Sequence, residues 1–166
     1  MQVQKAARRL LANLEELVAG AGLVLVVAIT IYNIVNRYVL LRSAVWAPEL
    51  AGMIFAWVVF LGASAAYKRH MHISISVAVR YLNPRVQVAV AQAGGLLLAA
   101  FLAYVTYLAL KITLSSHSRL SPVMRIPFSY VYASAAVGFA LMFVHQVAGL
   151  ARAWSRAVAG REIPGR

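Results

Sequence analysis

Four long stretches without Asp, Glu, Lys or Arg divide this sequence. They run from Leu17 to Asn36, from Leu50 to Tyr67, from Val86 to Leu110 and from Ile126 to Ala151. Because an α-helix rises about 1.5 Å per residue, about 20 helical residues cover the roughly 30 Å hydrocarbon core of a bilayer. Each stretch therefore predicts a transmembrane helix.

Composition and residue patterning favour membrane helices over a soluble fold or a β-barrel. Hydrophobic residues make up 63% of the 166 residues and charged residues 12%, which is too apolar for a water-solvated surface. The stretches lack the alternation of barrel strands, and backbone groups in lipid must bond within their own segment. We predict an all-α integral membrane protein, a single membrane domain over residues 1–166, with spans at approximately 14–37, 48–68, 86–111 and 126–152.

The distribution of Lys and Arg predicts the orientation of these helices. Eleven of the 16 lie before the first span, between spans two and three, or after the last, and five lie in the other two connections. The positive-inside rule then places both termini in the cytoplasm. The basic residues flank the spans without forming a stripe, so nucleic-acid binding is not expected. The first apolar run is too long for a cleaved signal peptide and is expected to remain as an anchor.

Several segments are expected to lie at the membrane interface. Lys5 to Glu16 and Ile73 to Leu82 predict short amphipathic interfacial helices, although the second also alternates as a strand would. Trp46, Tyr130 and Tyr132 are candidate interfacial anchors because aromatic residues with a polar edge favour this zone. The outer connection between spans three and four is rich in serine and proline, so we expect an irregular loop there.

The residues needed for catalysis are missing from the sequence. It has no cysteine and no aspartate, and its acids are Glu15, Glu16, Glu49 and Glu162. Thiol chemistry and a pair of facing carboxylates in the membrane are therefore excluded. The sequence also lacks a phosphate-binding glycine loop, a nucleophile elbow and a zinc-protease motif. We predict no catalytic residue, no cofactor and no enzyme activity.

Three histidines are the remaining candidates for a metal or proton site. His70 and His72 could share a metal only in an extended segment with further ligands nearby, so no metal site is predicted. His145 is the titratable side chain well inside a span, but a haem would need a second axial ligand. A hydrogen bond to a neighbouring helix, or a position near the cytoplasmic interface, is the favoured explanation for His145.

Arg37 and Glu49 lie at the outer ends of spans one and two. Their side chains could extend to the lipid headgroups, form a structural ion pair, or take a direct part in transport. The first interpretation is favoured and the ion pair is the second. A transport role ranks last, since no other ionisable group accompanies them at membrane depth.

The spans have features of a scaffold for another membrane protein. Small residues at 19–22 and at 94, 95, 99 and 103 allow close helix approach. Charges and helix breaks at mid-span, typical of self-sufficient ion-coupled transporters, are absent from the sequence. We therefore predict a non-catalytic subunit of a transport complex. The alternatives are a stand-alone exporter of hydrophobic cations, which lacks its mid-helix carboxylate, and a lipid-modifying or haem-binding enzyme, which lacks its reactive groups.

Short motifs in order along nearly the whole chain carry a family resemblance. The chain resembles the small permease subunits, DctQ-like and SiaQ-like, of tripartite ATP-independent periplasmic (TRAP) transporters. The motifs are Asn36-Arg37-Tyr38, Trp46 to Leu50, Phe60 to Ala63, Arg69-His70 with His72-Ile73, Ile126-Pro127, and Tyr132 with Gly138, Phe139, Leu141 and Met142.

The resemblance implies a bacterial inner-membrane complex that takes up an organic acid. A large permease subunit would move the substrate by an elevator-like, sodium-coupled motion after a periplasmic binding protein delivers it. The small subunit would pack on the large subunit's scaffold among phospholipids and would help to dock the binding protein. Arg37, Arg119 and Arg125 are the candidate docking residues, because they lie on the predicted outer side.

Overall fold

The part of the chain that the structure describes forms four long helices. The computed structural model describes residues 2–70 and 84–159 of the chain. The helices are α1 (Gln2–Tyr38), α2 (Trp46–His70), α3 (Pro84–Ser115) and α4 (Ser129–Ala159). The described residues contain no β-strand beyond an isolated bridge, so the prediction of an all-α fold is confirmed.

Each helix contains a segment long and apolar enough to cross a membrane. These segments are Leu14–Tyr38, Trp46–Arg69, Gln92–Ser115 and Ser129–Ser155. The prediction of four membrane-spanning helices is therefore confirmed. Helix α2 begins two residues before the predicted span, because Pro48 fits the first helical turn, where a missing N–H removes no hydrogen bond.

The first helix corrects one expectation. The segment Lys5 to Glu16 is helical, but it belongs to the 37-residue helix α1 and runs into the first span without a break. At about 1.5 Å per residue, α1 is about 55 Å long and exceeds the thickness of a hydrocarbon core. A separate interfacial helix is thus absent at this end. The helix predicted over Ile73 to Leu82 lies outside the described residues.

The helices form an open row in the order α1, α2, α4, α3. Helix α1 packs on α2, α2 on α4, and α4 on α3, and no other pair of the described helices packs extensively. Helices α2 and α4 run in the same direction, because Phe60 meets Gly138 and Tyr67 meets Gln146. Between 11% and 28% of the most apolar window of each span is buried within the chain. Most of the apolar surface therefore faces lipid or another protein.

Glycines set the closest contacts in the row. A Cβ at Gly138 would lie 2.8 Å from the Phe60 Cβ and 3.0 Å from the Phe60 carbonyl oxygen, so α4 approaches the α2 backbone directly. Gly22 is covered by Val58 and Gly95 by Leu150 in the same way. The neighbouring glycines of the predicted small-residue surfaces, at 20 and 94, meet nothing within 4 Å. In each small-residue surface, one glycine therefore packs against another helix, Gly22 in the first surface and Gly95 in the second.

Candidate functional sites at the two ends of the helix row

The ends of the helices form two opposite faces of the row, and these faces differ in chemistry. We call the end where α1 begins and α4 ends the terminal face, and the end that carries the connections 39–45 and 116–128 the loop face. Polar side chains join the helices near the terminal face. A loop hairpin and exposed arginines characterise the loop face.

Near the terminal face, Glu15 joins three helices. Its Oε2 accepts a hydrogen bond from Ser64 Oγ of α2 at 2.9 Å, and its Oε1 lies 2.9 Å from His145 Nε2 of α4. Ser64 is fully buried, and the carboxylate and imidazole are largely buried. We call this set the polar bridge. It connects α1 to α4, which are not neighbours in the row.

The next residue of α1 makes a second attachment. The guanidinium of Arg69, at the end of α2, binds the Glu16 carboxylate through two nitrogens, with Nε 2.8 Å from Oε1. Paired N–H···O bonds of this kind fix the orientation of both groups. Arg69 is mostly exposed, so solvent screens the attraction. Both acids therefore attach α1 to α2, and Glu15 also attaches it to α4.

A second buried connection joins α2, α4 and α3. Tyr67 Oη donates a hydrogen bond to Gln146 Oε1 at 2.7 Å, and Gln146 Nε2 donates to the Gly95 carbonyl oxygen at 2.9 Å. The Gln146 side chain reaches this backbone oxygen because Gly95 has no side chain in the way. Together with the polar bridge, these bonds attach all four helices to one another near one end.

The sequence predicts only part of this network. His145 bonds to another helix, but this helix, α1, is not a packing neighbour of α4, and the sequence does not predict the partner Glu15. One signal could have identified the pair: Glu15 lies just inside the first span and His145 seven residues before Arg152, so a chain with four crossings places them at similar depth. The pair lies near the terminal face. The middle of the described spans carries no charged side chain.

At the loop face, the connection 116–128 folds into a hairpin. The Ser121 N–H donates to the Ile126 carbonyl oxygen at 3.0 Å, and the Phe128 N–H donates to the Arg119 carbonyl oxygen at 2.8 Å. Arg125 closes the turn with a φ of 52°, a conformation uncommon for residues other than glycine. As expected, the connection contains no regular strand; an isolated bridge between Leu120 and Pro127 and these backbone hydrogen bonds order its turn.

Glu49 attaches this hairpin to α2. It lies in the first turn of α2, and its Oε2 accepts hydrogen bonds from the N–H groups of Val123 at 3.0 Å and Met124 at 3.2 Å. Its Oε1 is buried and lacks a donor among the described residues. The tip of the α3–α4 connection is thus held by a residue of α2.

Arg37 and Glu49, the candidate ion pair, have separate partners. The Arg37 guanidinium lies 5.8 Å from the ring centre of its neighbour Tyr38 and is exposed at the end of α1, while Glu49 binds the hairpin. No ion pair joins these two described residues. The ion pair is the second of the three interpretations, and the backbone N–H groups of Val123 and Met124 are the partners of Glu49 in its place.

The other predicted residues are also located. Arg119 and Arg125 are exposed on the hairpin, consistent with a docking role, which stays a prediction. The ring of Trp46 lies 6.0 Å from that of Tyr32 on α1, and Tyr130 and Tyr132 are exposed at the start of α4. Their role as interfacial anchors likewise stays a prediction. His70 ends α2, and His72 lies outside the described residues.

Four apolar helices in an open row define a multi-pass membrane protein with wide lateral surfaces. Over residues 26–156 the chain matches the family described as "Tripartite ATP-independent periplasmic transporters, DctQ component". The chain belongs to this family: it is a small permease subunit of a TRAP transporter, a transport component and not a catalytic enzyme. The resemblance in the sequence motifs is therefore confirmed.

Three curated relatives show the same similarity. The chain is 31% identical over 75 residues to the C4-dicarboxylate TRAP transporter small permease protein DctQ of Vibrio cholerae serotype O1, covering 45% of this chain and 32% of the relative. It is 28% identical over 72 residues to the sialic acid TRAP transporter small permease protein SiaQ of the same organism, covering 43% and 42%. The isethionate TRAP transporter permease protein DctMQ of Oleidesulfovibrio alaskensis is 27% identical over 149 residues, covering 84% and 23%.

The chain therefore spans less than half of the length of each of these relatives. The match to DctMQ includes most of this chain but only 23% of that permease protein, so the similar segment forms part of a longer polypeptide there. Of the polar bridge, Ser64 and His145 lie inside the family match, whereas Glu15 precedes it.

Proposed function

We propose that this chain packs along a large, sodium-coupled permease subunit in a bacterial inner membrane and supports uptake of an organic acid. The observation that carries the proposal is the open row of helices. Its lateral surfaces are apolar, and the middle of its described spans has no charged side chain to bind an ion or a substrate. The transport pathway then belongs to the partner.

The shape of the row favours a permanent protein partner. Helices associate in lipid through close packing and hydrogen bonds, and a compact bundle would use most of its small residues internally. Here Gly20 and Gly94 face away from the other helices of the chain and leave room for a further helix. The relation to DctMQ supports the same idea, because the similar segment is part of a larger permease protein there.

The proposed orientation places both termini in the cytoplasm and the loop face in the periplasm. It rests on the excess of Lys and Arg around the terminal face. Arg37, Arg119 and Arg125 would then present positive charge to the periplasmic substrate-binding protein. Charge complementarity of this kind speeds the encounter between proteins and fixes their orientation.

The proposed substrate class is an organic acid. The relatives' names specify C4-dicarboxylate, sialic acid and isethionate, and all three are organic anions. The chain itself offers no recognition site for such an anion among its described residues. We therefore assign substrate choice to the large permease subunit and the binding protein.

Co-purification followed by reconstitution tests the proposal. The tagged chain should recover a large permease subunit from detergent-solubilised native membranes without crosslinker. In liposomes, uptake of the organic acid should require both subunits, the binding protein and a sodium gradient. The chain alone should transport nothing.

Two results would contradict this function. Recovery of the chain without any membrane partner from freshly solubilised membranes would argue against a permanent complex. Export of tetraphenylphosphonium by liposomes that contain only this chain would instead support the alternative, a stand-alone exporter of hydrophobic cations.

A further inference from the structure

We infer that Glu49 is a positioning residue that holds the hairpin of residues 119–127 in the shape that docks the binding protein. We call this segment the docking hairpin. The inference rests on the proposed docking function and adds a residue that does not itself touch the partner. It explains why a half-buried carboxylate occurs at the loop face, where the other charged residues are basic.

The docking hairpin needs support from outside. Its two sides are joined by the Ser121–Ile126 backbone hydrogen bond, and Phe128, directly after the segment, donates to the Arg119 carbonyl oxygen. Its turn contains Arg125 at a φ of 52°. A non-glycine residue adopts a positive φ only when surrounding contacts hold it there. A two-stranded hairpin is also marginally stable by itself in water.

Glu49 provides this support at the turn. Its Oε2 accepts hydrogen bonds from two consecutive backbone N–H groups, Val123 and Met124, directly before Arg125. Hydrogen bonds to a carboxylate are roughly twice as strong as those between neutral groups. Because Glu49 lies in the first turn of a membrane-spanning helix, it fixes the hairpin to a rigid element.

This attachment also determines which charges the loop face exposes. Of the acids that the structure describes, Glu49 alone lies at the loop face, and its carboxylate binds the hairpin. Arg119 and Arg125 remain exposed at the two sides of the turn. The surface thus fits a partner with an acidic patch, and the spacing of its two arginines depends on the turn that Glu49 holds.

Glu49 variants of the assembled transporter test the inference. In Glu49→Ala, the binding-protein concentration that gives half-maximal uptake should rise roughly tenfold, as expected if about a tenth of hairpins keep the docking shape. Uptake at saturating binding protein should change less than about twofold, because docking and not transport is affected. A purely structural loss would instead lower the maximal rate.

Conservative variants make the test specific. Glu49→Gln keeps a side-chain oxygen that can accept hydrogen bonds from the two N–H groups. Its half-saturation concentration should therefore be close to that of the unsubstituted protein. Glu49→Asp is one methylene shorter and should give an intermediate shift, and it serves if Glu49→Ala fails to assemble. Glu16→Ala removes an acid from the opposite end of the row and is the matched control, with no expected shift.

Hydrogen exchange separates this inference from the docking function. The amide hydrogens of Val123 and Met124 should exchange faster in Glu49→Ala, without any binding protein present. Unchanged exchange and unchanged half-saturation in Glu49→Ala would overturn the inference, even if reversal of Arg119 and Arg125 impairs docking. Faster exchange with an unchanged half-saturation concentration would also overturn the inference about Glu49. If reversing the charges of Arg119 and Arg125 also leaves uptake unchanged, the proposed docking function fails too.

Discussion

Glu15 and His145 are separated by 130 positions in the sequence, yet their side chains approach to 2.9 Å. The contact joins α1 and α4, the first and last helices in chain order, which are not packing neighbours in the row. Ser64 contributes the third member from the helix between them. The polar bridge therefore fixes the position of α1 against the rest of the protein.

Removing either end of the polar bridge should destabilise the protein. We expect Glu15→Ala and His145→Ala each to lower unfolding stability in detergent, with a coupling of about 1 kcal/mol between them, the scale of hydrogen bonds between membrane helices. A double-mutant cycle measures this coupling. The exposed pair Glu16 and Arg69 is the comparison and should show a smaller coupling, because solvent screens it. Additive effects of the Glu15 and His145 substitutions would contradict a direct interaction.

Gly138 should tolerate no side chain. A Cβ there would meet the Phe60 backbone at 3.0 Å, and a helix backbone cannot yield as a flexible side chain can. We expect Gly138→Ala to destabilise the protein by about 1–3 kcal/mol, the usual cost of overpacking. Thermal unfolding in detergent is the measurement. Gly20→Ala is the control, since nothing lies within 4 Å, and equal melting temperatures for the two variants would be evidence against the close approach.

The Tyr67–Gln146 hydrogen bond predicts a rescue. Gln146→Leu leaves the Tyr67 hydroxyl without its acceptor in a partly buried place, which should cost about 1–3 kcal/mol. Adding Tyr67→Phe removes the unpaired hydroxyl, so the double variant should be more stable than Gln146→Leu alone. Equilibrium unfolding of the three proteins decides this. If the second substitution lowers stability further, the hydroxyl has another important partner.

Reversing the charge of the docking arginines should impair uptake only when binding protein is scarce. We expect Arg119→Glu with Arg125→Glu to slow uptake at limiting binding protein and to reduce its dependence on salt, because exposed charges act through screened electrostatic attraction. Arg152→Glu reverses one charge at the terminal face and should leave uptake at limiting binding protein unchanged. Normal uptake by a correctly assembled double variant would exclude the docking role of these arginines.

The orientation can be tested by labelling, because the protein has no cysteine of its own. Ser118→Cys is exposed at the loop face, and Ala153→Cys is exposed near the terminal face. A membrane-impermeant maleimide added to the periplasmic side should label the first variant and spare the second. Disruption of the membrane should expose both. The reverse pattern would show that the termini lie in the periplasm.

The sequence by itself determined the four membrane helices, the absence of catalytic groups and the family. These properties depend on local composition: an apolar run must form a helix in lipid wherever its neighbours lie. The start of α2 is likewise marked by local residues, Pro48 and Glu49, which favour the first turn of a helix.

Only the tertiary structure decided which helices are neighbours and which polar groups meet. Helix α2 lies beside α4 and not α3, so Gly138 rather than a glycine of α3 contacts Phe60. Glu49 binds a hairpin 74 residues away instead of the nearby Arg37, because two backbone N–H groups are held in place there. Such contacts depend on how the helices are arranged in space. Apolar stretches whose faces differ little do not specify this arrangement.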